Sequence, residues 1–330
     1  MTSAPQPPGG WQLLALDNEI TGQVTALELG SRALVAIRDG GDGRVRVFDG
    51  TCPHRGAHLG YGGRVSAGQT IICPFHGKRI GLGSGTGRLC VREHETIDCG
   101  GAVFIRLSDV PARDLGFESV LREISATHVI VGAVMGEVRI PPELVIENAF
   151  DFSHFPTVHL IPKIARPKVW TGDAGELNIT TAFITNAPDW ETAEGEFTSD
   201  FHARAFSPHL VVSRLGPVGS AKFVITGAVP APGGCVARIA IAVRGEEPQE
   251  TVSALVEGSK IAFDEDLVVW NHLDLDAPCR LDIIDAPVLA FRAFCASFTA
   301  PPVQSGGPAP AAEPGGQHPE ALAAAGLGGK

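Results

Sequence analysis

Two short loops present four metal-binding side chains in matching sequence contexts. Cys52-Pro53-His54-Arg55-Gly56 offers a Cys-x-His pair, and Cys73-Pro74-Phe75-His76-Gly77 offers a Cys-x-x-His pair. Two Cys and two His suit either a structural zinc ion or a [2Fe–2S] cluster in which two His replace two Cys on one iron. Proline fixes φ beside each Cys and glycine lets the backbone approach the bridging sulfides, which favours the iron–sulfur cluster.

The charge of the chain argues against nucleic acid or an anionic membrane as a partner. Its 330 residues carry a formal net charge of -11, so no cationic surface is expected. No apolar run approaches the length of about 18 residues that a spanning helix needs. Met1 to Trp11 also lacks the charged-then-apolar order of a secretory signal. We therefore expect a cytoplasmic protein.

The ends of the chain differ in composition from the rest. Residues 1–10 and 301–330 are rich in Pro, Ala and Gly, and we predict that they are flexible or disordered. Residues 11–110 contain short β-rich pieces separated by Gly-rich turns. Such a texture predicts an all-β domain, which would hold the two Cys-His loops.

The texture changes after residue 110. Residues 111–300 begin with a predicted helix from Leu115 to Arg122 and continue with a long apolar strand from His128 to Ile140 and further strands. A helical pattern follows from Thr251 to about His272. The simplest architecture is an antiparallel sheet closed by one long C-terminal helix. The whole chain is therefore predicted to be an α+β protein of two domains.

One Asp and two His crowd the segment from Glu147 to His159. On a helix, Asp151 and His154 are three residues apart and share a face. His154 and His159 would lie roughly 140° apart on a regular helix, so they need a distortion to converge. Pro156 supplies one because it lacks an N–H and its ring obstructs the preceding turn. We predict that both imidazoles reach one metal.

Two histidines do not complete a catalytic iron site, which needs a carboxylate and open positions for oxygen. In the helix that starts near Thr251, Asp266 lies about 50° from the centre of the apolar stripe, whereas Asp264 and Glu265 lie about 110° and 150° away. An unpaired carboxylate on a buried face is costly, and a metal removes the cost. Asp266 is the predicted third ligand, although a buried salt bridge would give the same pattern.

With these residues identified, the chain resembles the catalytic α subunit of a Rieske non-haem iron oxygenase. The pattern Asn148-x-x-Asp151-x-x-His154-Phe155-x-x-Val158-His159, followed by Asp266-Leu267-Val268-Val269-Trp270, most resembles one branch of the family. That branch contains 3-ketosteroid 9α-hydroxylase, the Neverland-type cholesterol desaturases and aminopyrrolnitrin oxygenase. The resemblance implies an N-terminal all-β Rieske domain and then a helix-grip, START-like antiparallel-sheet catalytic domain with a long C-terminal helix.

The resemblance also implies roles for individual residues. One set binds the [2Fe–2S] cluster, with the histidines on the outer iron: Cys52, His54, Cys73 and His76. A second set binds the mononuclear iron: His154, His159 and Asp266. Asp151 bridges a cluster histidine of a neighbouring subunit to an iron histidine, and Asn148 lies near the iron. The chain departs from the family at Lys78, where Trp is usual, and in the 18 residues between His54 and Cys73, which is at or just beyond the usual length.

The function implied by the resemblance is that of a terminal oxygenase component. It would use O2 to hydroxylate, desaturate, dealkylate or N-oxygenate a small hydrophobic molecule, as a monooxygenase rather than a dioxygenase and as a homotrimer. No dinucleotide fingerprint occurs in the chain, so electrons from NAD(P)H must arrive through a separate reductase, with or without a ferredoxin. The alternatives are a Rieske electron-transfer or ligand-sensing protein without oxygenase chemistry, and a zinc-stabilised binding module.

Overall fold

The computed structural model describes residues 7–66, 69–83, 89–110, 113–161, 163–186, 196–216 and 221–299. The predicted disordered tail at 301–330 lies outside the described residues, and so do the first six residues of the predicted flexible N terminus. Within the rest of that N-terminal segment, Pro7 and Gly10 are buried. No helix in these ranges combines the length and the apolarity needed to cross a membrane.

The N-terminal domain is all-β, as predicted. Its described strands are, in chain order, β1 (Gln12–Leu16), β2 (Val24–Leu29), β3 (Arg32–Arg38), β4 (Val45–Asp49), β5 (Arg64–Ser66), β6 (Thr70–Ile72), β7 (Arg79–Leu82), β8 (Cys90–Val91), β9 (Glu93–Asp98) and β10 (Ala102–Arg106). They form a larger sheet in the order β1-β10-β9-β4-β3-β2 and a smaller sheet in the order β5-β6-β7-β8. The first Cys-His loop joins the two sheets between β4 and β5, and the second joins β6 to β7 within the smaller sheet.

The second domain is built on one antiparallel sheet. A helix, α1 (Phe117–Ser125), precedes strand β11 (His128–Val138), and two short helices follow, α2 (Pro142–Glu147) and α3 (Phe155–Val158). The remaining strands are β12 (Lys163–Ile164), β13 (Lys168–Thr171), β14 (Leu177–Asn186), β15 (Glu196–Ser207), β16 (Leu210–Leu215), β17 (Lys222–Ala231) and β18 (Gly234–Arg244). The sheet order is β11-β18-β17-β16-β15-β14-β12, and β13 pairs with β14.

Two helices end the described chain, α4 (Gln249–Trp270) and α5 (Ala286–Thr299). The predicted α+β class is therefore confirmed, with an antiparallel sheet followed by C-terminal helices. The expectation of a single closing helix was incomplete, because α5 follows a turn-rich segment after α4. The aromatic side chain of Phe291 on α5 is fully buried and stacks on Phe150, which explains why this helix packs against the body of the domain.

The sheet of the second domain is covered on both faces. One face packs against α2, α4 and α5 through a core that includes Phe201, Phe263 and Trp270. The other face packs against α1 and strand β1 through a core that includes Leu13 and Phe117. A Cβ at Gly227 would lie 2.4 Å from the Cβ of Leu13, so glycine is what lets β1 approach this closely.

A buried ion pair joins the two domains. Arg238 on β18 donates from Nε and Nη2 to the two carboxylate oxygens of Glu19, both at 2.8 Å. The side chains are 7% and 16% exposed, so the pair is largely removed from water. The bidentate geometry fixes β18 against the turn that follows β1.

We predict that Glu19→Ala destabilises the protein by about 3 kcal/mol, because Arg238 would keep a buried charge without its partner. The urea-unfolding midpoint would measure the loss. Glu257→Ala is the control, because Glu257 forms only an exposed pair with Lys260 and should change stability by no more than about 0.5 kcal/mol. Equal stability of the Glu19→Ala variant and the native chain would contradict the prediction.

Candidate metal centres and adjoining cavity

The two Cys-His loops adopt the same local structure. Each Cys begins a turn whose carbonyl accepts a hydrogen bond from the glycine four residues later, Gly56 N–H at 2.9 Å in the first loop and Gly77 N–H at 3.0 Å in the second. Both glycines have left-handed φ, +76° and +64°, which an L side chain rarely adopts. The repeated Pro and Gly of the sequence are therefore explained by a duplicated tight turn.

The two loops bring thiols and imidazoles together in different environments. Cys52 and Cys73 are 2% and 1% exposed. Burial is the main cause that raises the pKa of Cys52, and the hydrogen bond with the Cys73 thiol raises it further. His54 and His76 are exposed, with ring centroids 4.9 Å apart. A buried thiol side and an exposed imidazole side are what a cluster needs if its outer iron is to lie near the protein surface.

The distances between the donor atoms of the two loops distinguish the cluster from the zinc alternative. A zinc ion holds all its N and S ligands within about 2.0–2.3 Å, so the donor atoms must lie close together. Among the described His, Cys, Asp and Glu residues, the one set of three or more with all donor atoms within 4.8 Å is not in these loops. The wider spacing favours a binuclear cluster over a single ion.

That one set is His154, His159 and Asp266, the predicted mononuclear site. Both imidazoles flank the one-turn helix α3, with His154 just before it and His159 just after it. Pro156 lies in the first turn of α3, where its missing N–H costs nothing, so it starts a helix rather than breaking one. The expectation that Asp151 and His154 share a helix face was wrong, because α2 ends at Glu147.

The three side chains converge through specific atoms. Asp266 Oδ1 lies 3.9 Å from His154 Nε2 and 3.3 Å from His159 Nε2. The carboxylate comes from α4, which packs across β11 and β18. Two imidazole nitrogens and one carboxylate oxygen on one side of a centre form a facial set, which leaves other positions open.

The other ring nitrogens fix the orientation of the histidines. His154 Nδ1 donates to the backbone carbonyl of Asp151 at 2.6 Å, and His159 Nδ1 donates to Glu265 Oε2 at 2.8 Å. Burial lowers the pKa of His154. Burial also acts to lower the pKa of His159, but its hydrogen bonds to Asp266 and Glu265 raise it overall. Each ring therefore directs Nε2 toward Asp266.

Asp151 and Asn148 lie beside this centre. The Asp151 carboxylate accepts hydrogen bonds from the Ser153 N–H at 2.9 Å and the Ser153 hydroxyl at 2.7 Å. Its other oxygen is 3.9 Å from His154 Nδ1, so it is the backbone of Asp151 that touches the imidazole directly. Asn148 follows α2 and lines the cavity next to the three donors.

Glu265 is a site residue that the sequence reasoning missed. On a regular helix, Glu265 lies about 150° from the centre of the apolar stripe. Its side chain is 39% exposed, yet its Oε2 lies 2.8 Å from His159 Nδ1. The signal available in the sequence was a second carboxylate next to the predicted ligand.

An apolar cavity of about 610 Å³ opens beside the three donors. Helix α4 lines one side with residues including Leu255, Gly258 and Phe263, and the sheet lines the other with Val211 and Ile239. The volume is in the range of cavities that hold drug-sized ligands. The carboxylate and imidazoles therefore face a space in which an organic molecule fits.

From the sequence, the candidate pocket aromatics are Phe183, Trp190, Phe201, Phe206 and Phe223, and those that the structure describes lie on two different faces of the sheet. Phe183 and Phe201 line the cavity. Phe206 and Phe223 belong to the opposite face of the sheet, where they pack with α1 and β1, because successive side chains on a strand point to opposite faces. Trp190 lies outside the described residues.

Comparison with known proteins bears on both domains. Residues 10–98 match the family model of the Rieske [2Fe-2S] domain. Residues 10–98 therefore form a Rieske [2Fe–2S] domain. It is 25% identical over 203 residues to the vanillate O-demethylase oxygenase subunit of Pseudomonas sp. strain HR199, covering 57% of this chain and 56% of that protein. It is 36% identical over 88 residues to cholesterol 7-desaturase of Drosophila melanogaster, covering 26% and 19% of the two chains.

The similarity to known proteins extends beyond the cluster domain to the fold of the second domain. The crystal structure of dicamba monooxygenase bound to 3,6-dichlorosalicylic acid superposes with a TM-score of 0.68 at 16% identity, over 88% of this chain and 97% of that one. The chain therefore has the two-domain fold of a Rieske oxygenase. The domain match, the relatives and this fold are each similar to those of Rieske non-haem iron oxygenases. The aligned segments cover less than two thirds of the two curated relatives.

We predict that Glu265→Ala weakens metal binding at the His154, His159 and Asp266 site by about 10- to 100-fold, because His159 loses the acceptor that orients it. Glu265→Gln retains an acceptor oxygen and should lose less. Titration with Co(II), followed by its visible absorption, measures the affinity. Glu257→Ala, on the same helix, should bind as the native chain does, and an unchanged affinity in Glu265→Ala would refute the orienting role.

Proposed function

We propose that this chain is the terminal oxygenase component of a Rieske non-haem iron oxygenase system. In this proposal it uses O2 and electrons from NAD(P)H to hydroxylate, desaturate, dealkylate or N-oxygenate a small hydrophobic molecule. The observation that carries the proposal is the convergence of His154, His159 and Asp266 on the wall of an apolar cavity. A protein that only carries electrons or senses a ligand has no use for three such donors.

The donor set fits a non-haem iron(II) ion, because two imidazoles and one carboxylate leave coordination positions free. When bound, the iron would supply the activation of O2. The residues of this chain orient the site and shield it. Glu265 and the Asp151 carbonyl hold the two imidazoles, while Phe155, Phe183 and Phe201 give the cavity an apolar wall that disfavours water.

We further propose a monooxygenase rather than a dioxygenase. The names of two similar proteins, a vanillate O-demethylase oxygenase subunit and dicamba monooxygenase, support this choice. The electrons would come from a separate reductase, with or without a ferredoxin. We also propose a cytoplasmic location, where reduced nicotinamide cofactor is available to such a reductase.

We propose a homotrimer in which the cluster of one subunit lies against the mononuclear site of the next. Two exposed features suit this contact. His54 and His76 lie at the protein surface, and the Asp151 side chain is 32% exposed beside His154. In this arrangement the Asp151 carboxylate would bond to a cluster histidine of the neighbouring subunit and link it to His154.

The proposal predicts about three iron ions per chain, two in the cluster and one at the second site. His159→Ala should lower the count to about two and leave the Rieske electron paramagnetic resonance signal unchanged. Iron analysis and the spectrum of the same sample test this. A count of two in the native chain, unaffected by His159→Ala, would instead support the electron carrier, and a colourless zinc protein would support the binding module.

Asp151→Ala and Asp151→Asn should keep both iron sites loaded but lower turnover by at least about tenfold, because the link between the sites is lost. Iron content, the Rieske spectrum and O2 consumption with a surrogate reductase measure the effect. Asp173→Asn, at an exposed position of the same domain, is the control. Unchanged turnover in both Asp151 variants would show that the bridging role is wrong.

A further inference from the structure

The cavity beside the three donors lacks positive charge from the protein. Its described lining contains Glu265 and Asp266 and no Lys or Arg. A ligand in this cavity therefore meets acidic groups, imidazoles, the Asn148 amide, hydroxyls and apolar walls, but no Lys or Arg of the described lining.

A bound iron(II) ion would not give the site a net positive charge. An iron(II) ion carries two positive charges, and Asp266 and Glu265 each carry one negative charge beside it. Since the formal sum is zero, the site offers no net countercharge for an anion. Burying a carboxylate without a partner in an apolar cavity is strongly unfavourable.

Two hydroxyl groups on the sheet face the cavity without partners. Ser213 on β16 is 7% exposed and Thr226 on β17 is half-buried, and both line the cavity. Neither hydroxyl forms a hydrogen bond with another described residue, and neither oxygen is among the fully buried polar atoms without a partner. Ser259 differs, because its hydroxyl donates to the carbonyl of Leu255 on its own helix at 2.9 Å.

The strand register puts these hydroxyls on one patch. Ser213 pairs with Val224 and Val211 pairs with Thr226, so Ser213 and Thr226 are diagonal neighbours on one face of the sheet. Diagonal neighbours lie about 7–8 Å apart. A hydroxyl that lines a cavity and has no protein partner can form a hydrogen bond with a polar atom of a ligand.

We infer that the cavity selects uncharged molecules with an apolar body and a hydrogen-bonding oxygen or nitrogen, which Ser213 and Thr226 recognise, and that it rejects carboxylates. The inference rests on the proposed function for its account of why a molecule binds beside the metal. In this inference, two features determine the substrate class: the two hydroxyls, and the lack of Lys or Arg in the described cavity lining.

Equilibrium dialysis of the full-length, iron-loaded protein with a matched pair of probes tests this. One probe is prodan, a neutral naphthyl ketone, and the other is the corresponding dimethylaminonaphthoate, which is an anion at pH 7. Prodan should bind at least about tenfold more tightly than the naphthoate, because the anion loses its hydration without gaining a cation. Equal binding of the two probes would overturn the inference.

Variants locate the binding and assign the hydroxyls. Ser213→Ala with Thr226→Val keeps side-chain size and should weaken prodan binding by about fivefold or more. Ser213→Arg should reverse the preference in favour of the naphthoate. Prodan binding that the double variant leaves unchanged, or a preference that Ser213→Arg leaves unchanged, would contradict the assignment. Circular dichroism and the cluster spectrum confirm that each variant is folded.

Gly258 provides a control for the site of binding. A Cβ at Gly258 meets no atom within 4 Å, and the residue lines the cavity from α4. Gly258→Trp should fill the cavity and abolish prodan binding, whereas Ser253→Trp, on an exposed position of α4 outside the cavity, should not. Prodan binding that survives in Gly258→Trp would overturn the inference.

The binding measurement does not depend on turnover. If the chain holds two iron ions instead of three, the oxygenase proposal fails. The relative binding of the two probes is still a separate test of the substrate class. If three iron ions are present and O2 is consumed but the naphthoate binds as well as prodan, only the inference about substrate class fails.

Discussion

The meeting of Asp266 with two imidazoles is the contact on which the candidate oxygenase site depends. The three donors come from two segments separated by more than a hundred residues, and α4 must cross the sheet for them to meet. A Cβ at Gly136 on β11 would lie 2.8 Å from the ring of Phe263, so the glycine permits the close approach of helix and strand. The position of the carboxylate is thus a consequence of core packing.

The site and the cluster loops solve the same physical problem in different ways. The cluster loops hold their donors with local turns, in which each glycine bonds back to its own Cys. The second centre holds its donors with tertiary contacts, in which His159 reaches Glu265 and His154 reaches the Asp151 carbonyl. Local turns can be recognised from neighbouring residues, whereas tertiary contacts require the folded chain.

The sheet of the second domain contacts both domains because its two faces have different partners. Strand parity directs Phe201 to the cavity and Phe206 to the core shared with α1 and β1. The buried Glu19–Arg238 pair then fixes one domain against the other.

The sequence alone determined the cluster loops, the all-β and antiparallel-sheet classes, and the candidate ligands His154, His159 and Asp266. It could do so because Cys-Pro and His-Gly spacing, strand alternation and the helical apolar stripe are local patterns. It could not determine α5, the end of α2 before Asp151, the contact of Glu265 with His159, or which Phe residues line the cavity. Those depend on where helices lie across the sheet, and only the tertiary structure decided them, since packing between distant segments leaves no local period in the chain.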